Sequence, residues 1–149
     1  MVNLNQSLSY LLFRCNERAS RLAQKALSEI GLTAAQANAL TCLFERNGIN
    51  QLELGEMARK DRTTISGIVS RLEATGYVRR VVDESDRRAT LVYYTKKAED
   101  MKEKMESIVI DINGKLSQDL TDSELKSLIE LLNKIRGQKI VYPGNLEVV

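Results

Sequence analysis

Residues 62–95 read RTTISGIVSRLEATGYVRRVVDESDRRATLVYYT, and the hydrophobic period changes inside this stretch. Over residues 62–75, Ile65, Ile68, Val69 and Leu72 recur at the i, i+3, i+4, i+7 spacing of one helix face. Asp61 stands where an N-cap belongs, and Gly76 closes the helix. The remaining face carries Thr63, Ser66, Gly67, Ser70, Arg71 and Ala74, which are small, polar or basic. Beyond Gly76 the period becomes two. Residues 77–82 and 89–95 are rich in β-branched and aromatic side chains and predict two strands. The polar loop 83–88 between them makes a β-hairpin with a charged tip.

Upstream, Asn50 and Glu53 have the spacing of a capping box. They open a short helix whose apolar residues are Leu52, Leu54, Met57 and Ala58, followed by a turn at 59–61. A short helix, a tight turn and a second helix make a helix-turn-helix, and a hairpin directly after it makes the winged variant. A helix that enters the major groove needs one face anchored in a core and the other free of bulk. The 62–75 helix has that division. Its candidate DNA-binding residues are Arg62, Thr63, Thr64, Ser66, Gly67, Ser70 and Arg71. The hydroxyls could bond base edges or phosphates, and the positive end of the helix dipole would favour phosphate at the N-terminus. Arg71, two turns in, could reach a phosphate or a guanine. At the wing tip, Arg87 and Arg88 suit the negative potential of a narrow minor groove, with Asp86 able to hold one of them extended. The competing readings are small residues packed on the hairpin and a solvated ion pair on a loop.

Helices flank this lobe. Residues 6–30 carry a stripe of Leu8, Leu11, Leu12, Cys15, Ala19, Leu22, Ala26, Leu27 and Ile30, capped by Gly31. Thr33 and Gln36 form a capping box for a second helix through Leu40, Leu43 and Phe44, ended at Asn47-Gly48. After the hairpin, Thr95 is placed to cap a long fifth helix with a stripe of Met101, Met105, Ile108, Val109, Ile112, Leu116 and Leu120. Thr121 and Glu124 box the last helix, which bears Leu125, Leu128, Ile129, Leu132 and Ile135, and an apolar tail follows over 140–149. The expected fold class is mainly α (α+β). These stripes exceed what one small lobe buries, which points to a second copy of the chain.

The 149 residues include 22 basic and 20 acidic side chains, but the charge is uneven. Residues 59–97 hold ten basic against five acidic residues, a local excess of +5 that suits a polyanion. A winged helix that docks on protein instead should show more aromatic and fewer basic residues on this face. The chain has no histidine, which removes Ser-His-Asp and Cys-His catalysis and every His-containing metal site. With no glycine-rich phosphate loop or paired carboxylates either, no enzyme activity, catalytic residue, metal or cofactor is expected. Two thiols, Cys15 and Cys42, fit a reduced cytoplasmic setting. No run is long and apolar enough for a membrane span, and the N-terminus lacks a signal-peptide pattern.

The pattern Asp86-x-Arg88-x-x-x-Val92-x-Tyr94-Thr95 resembles the wing signature of the MarR (multiple antibiotic resistance regulator) family, with Tyr94 where leucine is usual. The stretch from Leu54 to Thr64, Arg71-Leu72-Glu73 and Gly76-Tyr77-Val78-x-Arg80 is similar to that family's helix-turn-helix and its exit into the wing. Leu8, Leu11, Asn16, Arg21-Leu22, Leu27 and the 33–36 box are similar to its first two helices, so the resemblance spans roughly residues 5–138. It implies a single MarR-type domain, with 33–97 as the winged lobe and 1–32 and 98–149 as dimerisation helices. It further implies a homodimer on a palindromic operator in double-stranded DNA. Leu4, Leu8, Leu11, Ile108, Ile112, Leu128 and Leu132 are the expected dimerisation residues. The function implied is a transcriptional regulator, a repressor more often than an activator.

Many members release DNA when a small phenolic or aromatic acid binds. Tyr10, Arg14 and Arg18 are the candidates here, although Arg14, Arg18 and Arg21 could equally pair with Glu17 or solvent. Other members sense peroxide through a first-helix cysteine, and Cys15 lies there. Its place on the apolar stripe reads as an inert core thiol, and residues 16–44 lack the tyrosine that contacts the thiol in sensing members. Cys42 reads as core.

Overall fold

The computed structural model describes residues 3–84, 87 and 89–137. The chain divides into two compact units, residues 1–112 and 113–149, with the boundary inside a helix.

In the first unit a 3-10 turn, Leu4–Gln6, leads into helix α1, Leu8–Glu29. The extra turn at the front shortens the helix expected from residue 6. Helix α2, Ala34–Glu45, opens on the expected box: the Thr33 side chain accepts from Gln36 N, and the Gln36 side chain accepts from Thr33 N. Helix α3, Gln51–Ala58, and helix α4, Arg62–Ala74, follow across a turn in which Arg59 adopts a left-handed conformation. Only half of the box expected at Asn50 forms. The Asn50 side chain accepts from Glu53 N at 2.9 Å, but the Glu53 carboxylate pairs with Arg46 at 3.0 Å instead.

The hairpin proves to be part of a three-stranded antiparallel sheet. Strands β2, Val78–Val82, and β3, Thr90–Tyr94, pair as expected, and a two-residue strand β1, Ile49–Asn50, lies on the other side of β3. The Asn47 side chain ties this edge down by accepting from Gly48 N and Tyr94 N, each at 3.1 Å. Gly48 has a φ of +71°, and a Cβ there would sit 2.5 Å from the Tyr93 ring. Gly48→Ala is therefore expected to cost more than about 1 kcal/mol, since backbone strain and a clash act together. Thermal melting would show a drop of several degrees, and an unchanged midpoint would contradict this placement of β1.

The long fifth helix expected from Thr95 is interrupted. Helix α5 covers Lys96–Glu99 and helix α6 covers Lys102–Ser117. The Thr95 hydroxyl does not cap α5. It donates to the Gly76 and Tyr77 carbonyls, at 2.7 and 3.1 Å, and so joins the end of β3 to the start of β2. The core gathers Leu40, Leu43, Leu54, Ile65, Val69, Leu72 and Val92, all fully buried, with Leu27, Val78, Ala98 and Met105 around them. Cys42 is buried here, and burial pushes its thiol pKa up.

In the second unit, helix α7, Asp122–Arg136, carries the complete Thr121–Glu124 box and ends on Gly137 in the left-handed region. The apolar tail read at 140–149 lies outside the described residues.

Candidate nucleic-acid interface

Helix α4 decides the site. Ile65, Ile68, Val69 and Leu72 are buried on one side. On the other, Arg62, Thr63, Thr64, Gly67, Ser70, Arg71 and Ala74 are exposed, and Ser66 is half-buried. Gly67 sits mid-helix with nothing among the described residues within 4 Å of where its Cβ would be. Glycine in a helix interior costs roughly 0.5–1 kcal/mol relative to alanine, and no contact among the described residues accounts for it here. The gap it leaves faces outward, where a nucleic-acid partner could come close to the helix backbone.

At the leading end of α4 the Asp61 carboxylate accepts from Thr64 N at 2.9 Å and from the Thr64 hydroxyl at 2.6 Å. The Asp61 carboxylate thus caps the end of α4 at which a phosphate is expected on the helix dipole. Thr64 also keeps only lone pairs for a partner, its proton being committed to Asp61. These hydrogen bonds, the Thr64 hydroxyl first, hold the Asp61 pKa below its ordinary value near 3.8. A group with a lowered folded pKa contributes stability above its unfolded value and loses it as pH falls through the folded one. Asp61→Asn should thus lower stability at neutral pH, and the gap from wild type should close below about pH 4. Denaturant midpoints measured between pH 2.5 and 7 test this, and a gap independent of pH would contradict it.

At the trailing end, the Arg80 guanidinium of β2 donates to the Glu73 carboxylate of α4 through Nη1 and to Ser70 Oγ through Nη2 at 3.0 Å. Arg80 N also donates to Glu73, at 3.3 Å. Lys97 donates to the Thr75 carbonyl at 2.8 Å, placing a cation at the α4 C-terminus and 4.6 Å from the Tyr77 ring centroid. The ties of Arg80 and Lys97 to α4 were not foreseen from the sequence.

Among the wing-tip candidates, Arg87 is exposed. Asp86 and Arg88 lie outside the described residues. On β2, Arg79 stacks over the Tyr93 ring at 5.0 Å.

On α1, Tyr10 is half-buried, and Arg14 is exposed and paired with Glu17 at 2.8 Å. Arg18 is exposed and engaged in an interaction of its own. The three do not line the cleft of about 310 Å³ between Ala26 and Glu29 of α1, Ile30 just after it, and Lys104 and Ile108 of α6. Cys15 is exposed, which corrects the reading of a core thiol: among the described residues nothing covers its stripe at this end of α1. There Leu4, Leu8, Leu11 and Phe13 are exposed, Leu8 at 57%. Ile108 and Ile112 are half-buried, and Leu128 and Leu132 of α7 are exposed. Among the described residues no helix is long and apolar enough to cross a membrane, and no group of acidic or thiol side chains could hold a metal ion.

A helix-turn-helix with an open, hydroxyl- and arginine-bearing second helix, followed by a wing, defines a DNA-binding transcriptional regulator of the winged-helix class. The MarR family description matches residues 32–90. The transcriptional regulator TtmR of Methylorubrum extorquens is 27% identical over 146 residues, covering 98% of this chain and 74% of that protein. A mutant Escherichia coli MarR solved with operator DNA superposes with a TM-score of 0.78 at 29% identity, covering 86% of this chain and 92% of that one. The PcaV regulator of Streptomyces coelicolor, solved with its natural ligand, gives 0.78 at 25% identity over 92% of this chain and 96% of that one. Residues 32–90 thus match the MarR family, and over most of its length the chain is similar to MarR-type transcriptional regulators.

Proposed function

We propose that this regulator is a homodimeric repressor that reads a palindromic operator, with α4 in each major groove and the 83–88 wing in the adjacent minor groove. The observation that carries the reading is the division of α4: four apolar side chains buried, and an opposite face open around Gly67. The relative solved with operator DNA supports the same partner. Dimerisation draws support from the exposed apolar residues of α1 and α7, which a second copy would remove from water. Two recognition helices must stand about 34 Å apart to meet successive major grooves, which a twofold pair provides.

Release by a small aromatic acid is part of the proposal, with Tyr10, Arg14 and Arg18 as its holders, and the PcaV structure solved with its natural ligand supports the binding of a ligand. The Arg14–Glu17 pair is an exposed one of the kind worth at most about 1 kcal/mol, so a carboxylate ligand can displace Glu17.

Gly67→Ala tests the interface. It should raise stability by roughly 0.5–1 kcal/mol through helix propensity while weakening DNA binding, because the added methyl points into the gap reserved for DNA. Denaturant unfolding and a gel shift on duplexes enriched from a random pool measure both. A more stable variant with undiminished binding would place the DNA elsewhere.

A further inference from the structure

The exposed face of α4 carries a hydroxyl whose hydrogen-bond polarity is set from outside the helix. Ser70 is exposed, and its Oγ accepts from Arg80 Nη2 at 3.0 Å. The same guanidinium is clamped through Nη1 to Glu73, one turn further along α4, and Glu73 also accepts from Arg80 N. Arg80 is 26% exposed, and its Nε is buried with no partner among the described residues. A hydroxyl has one proton to give, and it can accept as well. With a cation donating to its oxygen, the Ser70 hydroxyl directs its own proton away from Arg80, and the charge polarises that O–H. We propose that Arg80 is a positioning residue that presents the Ser70 hydroxyl as a hydrogen-bond donor to a base-edge acceptor in the major groove.

The acceptors of that kind are guanine O6 and N7, adenine N7 and thymine O4. Cytosine offers only its amino donor there and cannot take the Ser70 proton. Thr64 has the opposite polarity, since its proton goes to Asp61. The two hydroxyls thus ask for different partners, although serine and threonine on their own discriminate little between bases. Lysine could not replace Arg80 in this role. One ammonium lacks the planar fork that reaches a carboxylate and a hydroxyl together.

This inference rests on α4 meeting DNA, and the test separates the two. Affinities of wild type, Ser70→Ala, Arg80→Lys and the double variant are measured at one salt concentration. One duplex is enriched from a random pool by the wild type, and the other is of unrelated sequence. Thermal melting reports whether each variant is folded. Ser70→Ala is expected to lower the enriched-to-unrelated affinity ratio by about 3- to 10-fold, the effect of one lost hydrogen bond. Arg80→Lys should lower it by a similar factor while remaining folded, and the double variant should lose no more than Ser70→Ala alone. A wild-type ratio in Ser70→Ala would overturn the inference. So would equal weakening on both duplexes, which marks a phosphate contact, or a double variant whose loss is the product of the single losses. A wild type that does not discriminate at all would instead remove the reading of α4 itself.

Discussion

Leu72→Ala should lower the free energy of unfolding by about 2–5 kcal/mol, the range for truncating a fully buried leucine. Leu72 has no exposure to solvent and stands on the inner side of α4 with Ile65, Ile68 and Val69. Tyr77 N also bonds to its carbonyl, at 2.8 Å, where the helix passes into the wing. Truncation removes the transfer energy of the lost methyl and methylene groups and leaves a cavity that the sheet and α2 cannot fully close. Domains of this size are stable by only 5–15 kcal/mol, by order of magnitude, so the loss is a large fraction of the total. Denaturant unfolding at one fixed protein concentration is the proper measurement, because association shifts apparent stability by mass action. A cost below about 1 kcal/mol would mean that α4 is not anchored through this residue.

Arg71→Ala is expected to weaken binding to an enriched duplex by about 1–3 kcal/mol, roughly 5- to 150-fold, with little change in stability. The side chain is exposed, and no ion pair engages it among the described residues. The salt dependence of the affinity then identifies its partner. Loss of one phosphate contact flattens the slope of log K against log salt by about 0.9 and weakens all sequences alike. Loss of a guanine contact leaves the slope nearly unchanged and relaxes preference at one base pair. Equal affinity and equal slope in wild type and variant would remove Arg71 from the interface.

Much of the winged lobe was legible because its signals are local. The face of α4 follows from four apolar residues at helical spacing, its start from Asp61 and its end from Gly76, all within 16 residues of one another. The boxes at Thr33 and Thr121 are equally short-range, and both formed in full. What escaped is long-range. Strand β1 has two residues, too few for any period, and exists because Ile49 and Asn50 pair with Val92 and Leu91. Glu53 and Thr95 have the residue types for capping, but each finds a better partner outside its own helix, in Arg46 and in the Gly76 and Tyr77 carbonyls. The break between α5 and α6 is hidden because Met101 and Met105 keep the apolar stripe in phase across it.

The site divides in the same way. Helical spacing selected Thr63, Ser66, Gly67, Ser70, Arg71 and Ala74 for the open face, and all are exposed except Ser66, which is half-buried. It could not show that Asp61 takes the Thr64 proton or that Arg80 reaches back to Ser70, since both depend on side-chain geometry. Cys15 shows the limit of an apolar stripe: periodicity says which residues share a face, and only packing says whether anything covers it.

Groove-specific disulfide trapping tests the central proposal most directly. Thr63→Cys in a Cys15→Ser background places one exposed thiol at the leading end of α4, with Cys42 buried. Enriched duplexes carry a thiol tether either on adenine N6, which projects into the major groove, or on guanine N2, which projects into the minor groove. The account predicts cross-links to the N6 tether at one position in each half-site and none to the N2 tether. Cross-linking to the N2 tether, or to neither while the duplex remains bound, would contradict it.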